Sequence, residues 1–224
     1  MSNTIRTLIF IASLFFFLFF FITVNYLLPT QFISGLPNPA VFTASLYILA
    51  YIGVLYSQAL VKYLYVKSAM KGVNIIMSFP VKTGGMREKL ILLVLPIIAV
   101  ILPMVSTKKF TPEKLTAFVY IAVLAIILEI LSRLNAKTLR LYATNKGFGI
   151  RGVDFRLELS IPFSYTNAAG WYPFERIENY LAYGNKIFLY QTYDMGVISF
   201  ECDAEEVRQI KGLLIANGVP ERRY

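Results

Sequence analysis

The sequence predicts a two-part architecture: a membrane α-helical part of four transmembrane helices, then a small α+β domain in which one helix caps a bent β-barrel or sheet. Three observations predict it. Four apolar stretches, roughly Thr7–Leu28, Ala40–Val61, Leu90–Val105 and Leu115–Leu134, fill the first 134 residues. All but the short third approach or exceed the ~20 residues a helix needs to cross a hydrocarbon core. The chain is 57% hydrophobic and only 16% charged, far more apolar than an average water-soluble domain. Beyond them the pattern changes to the alternation of strands, which divides the chain into 1–136 and 137–224.

The first stretch has one basic residue ahead of it, Arg6, and an apolar run too long for a secretory signal. It reads as a retained helix, rich in Phe (Phe15–Phe17, Phe19–Phe21) and therefore suited to facing lipid. The second offers small residues at Ala44, Ala50, Gly53, Ser57 and Ala59, as a bundle interior does. The third holds Pro96 and Pro103, which kink or end a helix. The fourth opens on Thr111-Pro112-Glu113, a helix-start pattern, and contains Glu129 with Arg133 one turn later. That carboxylate reads either as a proton or cation site or as one half of an intramembrane ion pair near the helix end.

Charge predicts direction. The net charge is +9. Residues 1–136 carry eleven Lys and Arg against three acids, whereas residues 137–224 carry eleven against ten. The excess flanks the apolar stretches, so no nucleic-acid partner is expected. Lys62, Lys67, Lys71, Lys82, Arg87 and Lys89 crowd the second connection, and positive connections stay inside. The expected location is a cell membrane, crossed several times, with both chain ends cytoplasmic. Those six residues are candidate contacts for lipid headgroups. The apolar island Val73–Phe79 among them reads as an interfacial segment or as an ordered loop packed against the tail domain.

With no His and one Cys, Cys202, the chain has no Cys/His zinc set, no His-ligated haem and no Ser–His or Cys–His pair. No catalytic, cofactor-binding or metal-binding residue is expected, and no cofactor. Cys202 reads as a small buried hydrophobe.

In the second part, Thr138–Thr144, Phe155–Ile161, Ile177–Tyr183, Lys186–Tyr190 and Gly196–Cys202 read as strands separated by Asn/Gly turns. Gly147-Phe148-Gly149-Ile150-Arg151-Gly152 matches a dinucleotide fingerprint by spacing. Residues Val153–Ile161 after it are strand-like rather than helical, so a hairpin or bulge is expected. Asp203 and Glu206 form a capping-box pattern ahead of Val207, Ile210, Leu213 and Leu214, and Asn217-Gly218 ends that helix. The run from Phe174-Glu175-Arg176-Ile177 through Asn185–Tyr190, Ile198-Ser199-Phe200 and the capped helix resembles bacterial PH-like domains. Such domains lie on the cytoplasmic side of multi-span prokaryotic membrane proteins. Trp171 or Phe174 matches the Trp position of that family. The resemblance covers residues 138–219 and implies a bent barrel closed by the helix, with no catalytic residues.

The expected function is therefore non-enzymatic. A PH-like domain would associate with a partner protein, a lipid headgroup or another copy, beside a lipid bilayer. The alternatives are an accessory transport component or an immunity-like protein against membrane peptides. A membrane enzyme, using acids such as Asp154, Glu158 and Glu175, is the third reading.

Overall fold

Long apolar runs favour helix, and three long helices fill much of the first 138 residues. They are α1 (Asn3–Leu27), α2 (Pro39–Ala69) and α3 (Pro112–Thr138). The computed structural model describes residues 3–27, 39–82, 112–156, 167–192 and 196–222. The third apolar stretch, 90–105, lies outside them. Helix α2 is central: Val54, Leu55 and Ala59 pack with Leu124, Leu128 and Leu131 of α3. Its Gly53 brings α1 close, with Phe16 Cε1 3.9 Å from where a Cβ would stand.

The four-span expectation does not hold. Among the described residues one segment, Ile48–Ala69 of α2, is long and apolar enough to cross a membrane by length and composition. Within α1 the described apolar segment is Thr7–Phe20. Glu113, Lys114, Glu129, Arg133 and Lys137 interrupt α3, a helix from which apolar-run counting took only the middle. The described chain is an α+β structure of four helices and two antiparallel sheets.

The first sheet has the order β1-β2-β3-β4, from β1 (Ile75–Pro80), β2 (Arg140–Thr144), β3 (Gly147–Arg151) and β4 (Gly170–Pro173). The second has the order β5-β6-β7, from β5 (Ile177–Tyr183), β6 (Lys186–Gln191) and β7 (Val197–Glu201). Strand β1 is the apolar island of the second connection. It pairs antiparallel with β2, Phe79 opposite Leu141, so the sheet takes a strand from more than 50 residues upstream of 137–224. Its Phe79 ring meets Phe200 of β7 at 5.1 Å, which brings the two sheets together at that corner.

Other strands shift or appear anew. Thr138 belongs to α3, and β2 begins at Arg140. Strand β4 contains Gly and Pro at its ends, which hid it from alternation. Residues 153–156 are an irregular connection rather than the start of a strand, and 157–161 lie outside the described residues.

Helix α4 (Ala204–Ala216) closes the domain. Asp203 accepts from the Glu206 backbone N–H at 2.8 Å, and Glu206 accepts from the Asp203 N–H at 2.9 Å, satisfying two otherwise orphaned donors. Ile210 and Leu214 enter a core with Phe148, Tyr172, Ile187, Leu189 and Phe200, all buried. Cys202 belongs to this core, where burial, then the Glu206 and Asp203 carboxylates, push its thiol up to about 11.

Candidate functional site

The residues joining helices to sheets form the most organised polar site. The connection Val153-Asp154-Phe155-Arg156 acts as a peg. Phe155 is buried with the α2–α3 cluster, its ring edge-on to Tyr56 at 4.9 Å. Helix α3 holds the peg's backbone: Asn135 Oδ1 accepts from the Phe155 N–H at 3.0 Å, and Thr138 Oγ1 accepts from the Val153 N–H at 3.2 Å.

On either side of Phe155 stand two buried charges. Asp154 Oδ1 accepts from Arg156 Nε at 2.8 Å and from the Arg156 backbone N–H at 3.1 Å. Its Oδ2 accepts from an Arg156 guanidinium nitrogen at 2.8 Å and from the Ala169 N–H at 3.1 Å. Lys62 of α2 reaches the same place. Its Nζ donates to the Arg156 carbonyl at 2.6 Å and lies 3.8 Å from Asp154 Oδ1. All three side chains are essentially inaccessible to water. Burial alone would raise the Asp154 pKa. The Arg156 and Lys62 charges and the hydrogen bonds together outweigh it and hold the carboxyl well below the usual carboxylate range.

Asn167 extends this junction into both sheets. Its backbone carbonyl accepts from Arg156 at 2.7 Å. Its side chain accepts from the Ser199 N–H of β7 at 2.7 Å and donates to the Lys82 carbonyl just beyond β1 at 3.2 Å. Its φ of 58° is left-handed, a conformation Asn tolerates better than most residues. One residue thus ties the end of β1 and strand β7, through its side chain, to the peg, through its backbone carbonyl.

This arrangement satisfies its buried charges from within. Asp154 is ionised, enclosed and saturated with donors, so it lacks the access and proton affinity a general base needs. Of the other tail acids, Glu175 is exposed and Glu158 lies outside the described residues. Among the described residues no group of three or more Asp, Glu or Cys is placed to hold a metal.

The glycine motif lies in the β2–β3 hairpin and its exit, not at a helix start. A side chain at Gly147 would strike the backbone carbonyl of Tyr172 in β4, and one at Gly152 the carbonyl of Thr138. A Cβ on Gly149 would stand 2.5 Å from Met70 Sδ, so that glycine makes room for the end of α2 against the sheet. The motif serves strand and helix packing, not a phosphate.

The predicted site residues separate clearly. Arg133 Nε does pair with Glu129 Oε1, at 3.0 Å, with the arginine side chain 75% exposed. Lys62 is buried in the junction and is not on the surface as a headgroup contact would be. Lys67 and Lys71 are exposed. Lys82 is exposed and pairs with Glu201 at 2.8 Å; hydrogen bonds from Lys82, then Lys186, lower the pKa of that carboxyl. Arg87 and Lys89 lie outside the described residues. Sequence reasoning missed the role of Lys62, although a signal existed. Leu55, Ala59, Lys62, Val66 and Met70 recur at helical spacing, and all five are buried.

No family model and no curated protein matches the chain. Among solved structures, the chain is similar to the FERM and C-terminal domain complex of Drosophila Merlin, at 12% identity and a TM-score of 0.26. That match covers 79% of this chain and 64% of the other, so the chain spans less than two thirds of that protein's length.

Proposed function

We propose that this chain is a non-enzymatic, membrane-associated protein whose PH-like β domain is an association module held rigidly on helix α2. One observation carries the membrane half: the helices are apolar on their outer surface. Phe15, Phe19 and Ile22 of α1, Leu60 of α2, and Ile126 and Ile130 of α3 are all exposed, whereas the polar Gln58 of α2 is buried. An apolar exterior on this scale is a contact surface for lipid or for a partner. The apolar segment Ile48–Ala69 supports lipid.

The association half rests on the domain's two sheets closed by one helix, the layout the resemblance to PH-like domains implies, and on the saturation of Asp154. The test is fractionation of native membranes, then crosslinking. We expect the chain to stay with the membrane through alkaline carbonate and to crosslink to a partner or a second copy. Release by carbonate overturns the membrane reading; absence of any crosslinked species overturns the association reading.

A further inference from the structure

After α4 the chain turns back along the second sheet. Val219 is buried in the core, and its N–H donates to the Leu214 carbonyl at 3.0 Å. The next residues lie along the outer edge of β5. The Tyr180 N–H donates to the Pro220 carbonyl at 3.0 Å, and the Arg222 N–H donates to the Tyr180 carbonyl at 2.7 Å, which makes Glu221 a parallel bridge partner of Tyr180. Side chains fix the register. Glu221 meets Lys211 of α4 at 2.8 Å, and the Arg222 guanidinium lies 4.7 Å from the centre of the Tyr190 ring on β6.

This is a strand-pairing contact one residue long. Backbone groups on a strand alternate in direction, so those of Ala182, two residues beyond Tyr180, also face the outer edge. Nothing among the described residues bonds them. An open strand edge is a template for another strand. The groups that receive the segment belong to β5, β6 and α4, so they would receive the same sequence from another molecule equally well.

We propose that the β5 edge is a strand-accepting site which the chain fills with its own residues Pro220–Arg222, and that the outside occupant it fits is the same segment of a second copy. The proposal deepens the association reading and rests on it by naming the surface and the partner. In the resting molecule the segment's own tether gives it the higher effective concentration, so the site is self-occupied. Opening it breaks two backbone hydrogen bonds, one half-exposed ion pair and one ring contact, while Val219 stays in the core. The pivot is the Val219–Pro220 junction, just beyond the buried Val219 that anchors the end of α4.

The test uses a labelled peptide of residues 219–224 as probe and a variant ending at Val219 beside the full chain. We expect the shortened chain to bind the peptide at least ~10-fold more tightly than the full chain, because the latter's site is filled. Lys211→Glu in the shortened chain should weaken binding, and a scrambled peptide should not bind. Exchange of the Tyr180 amide should quicken on shortening and slow again with peptide. Equal binding by both chains, no binding by the shortened one, or an unchanged Tyr180 amide overturns the proposal. If the shortened chain fails to fold, Arg222→Pro in the full chain removes the same N–H donor and must give the same pattern. Peptide capture with no crosslinked species of any kind in native membranes would defeat the association reading and the second-copy occupant and leave only the self-filled edge standing; crosslinking without peptide capture would defeat only the site.

Discussion

Two arginine–carboxylate pairs in this molecule have the same chemistry and opposite surroundings. Glu129 and Arg133 sit one turn apart on α3, with the arginine 75% and the glutamate 39% exposed. Asp154 and Arg156 are buried beside Lys62, which comes from 92 residues earlier in the chain than Asp154. The first pair is written into helical spacing and, wherever water screens it, contributes little, because two mobile side chains must be ordered. The second organises the contact of α2 with the sheets, because removing charges from water costs several kcal/mol per ion unless each finds partners. What is easy to read from sequence is here the energetically minor pair.

The largest expected effect comes from breaking the buried pair. Asp154→Ala strands Arg156 in the interior and should cost about 3–5 kcal/mol of unfolding free energy. Thermal or denaturant unfolding of the full chain measures it. A loss below about 1 kcal/mol would mean that water reaches the junction. Truncating the peg, Phe155→Ala, should cost about 3 kcal/mol through the cavity left between α2 and α3. A refilled version, Phe155→Leu, should recover most of it.

Acid gives the same contrast without mutation. The Asp154 carboxyl is held below its ordinary value in the folded state, so it binds protons less readily there than in the unfolded chain. Its contribution is fully present above the unfolded value, near 3.9, and is lost progressively as pH falls below it. Stability measured from pH 7 down to pH 2 should fall more steeply below about pH 4 in the parent than in Asp154→Asn. Parallel curves would remove Asp154 as the cause.

Local and distant information differ in the same way. The capping box at Asp203, the turn at Gly184-Asn185 and strands β5 to β7 were legible because their signals lie within a few residues of the structure they make. The peg and β1 were not. Val73–Phe79 read equally as a membrane-surface segment or as a loop packed against the tail domain; it does pack there, but nothing nearby says that it is a strand or that its partner begins at Arg140. Lys62 was hidden in a basic run, although its place on the helical face shared with Leu55, Ala59, Val66 and Met70 sets it apart from Lys67. The count of membrane spans failed for the same reason. Apolar runs report burial in something, and they do not say whether it is lipid or a neighbouring helix. Asp203→Ala tests the local side, with an expected loss of about 1 kcal/mol from the unsatisfied helix start.

The smallest effect belongs to the exposed pair, and it is also the most discriminating. In water, Glu129→Gln should change stability by less than about 0.5 kcal/mol, and a double-mutant cycle with Arg133→Gln should give a coupling in the same range. If this turn of α3 instead lies within hydrocarbon, Arg133 without its carboxylate becomes an uncompensated charge. The single change should then cost about 2.5 kcal/mol or more, while the paired change to two glutamines costs less than Glu129→Gln alone. The sign of that difference places the lipid boundary relative to Glu129. Combining Glu129→Gln with Asp154→Asn then sets the two pairs side by side in one chain. Additive losses are the expected result for sites that act separately, and a coupling above about 0.5 kcal/mol would join the exposed pair to the buried junction.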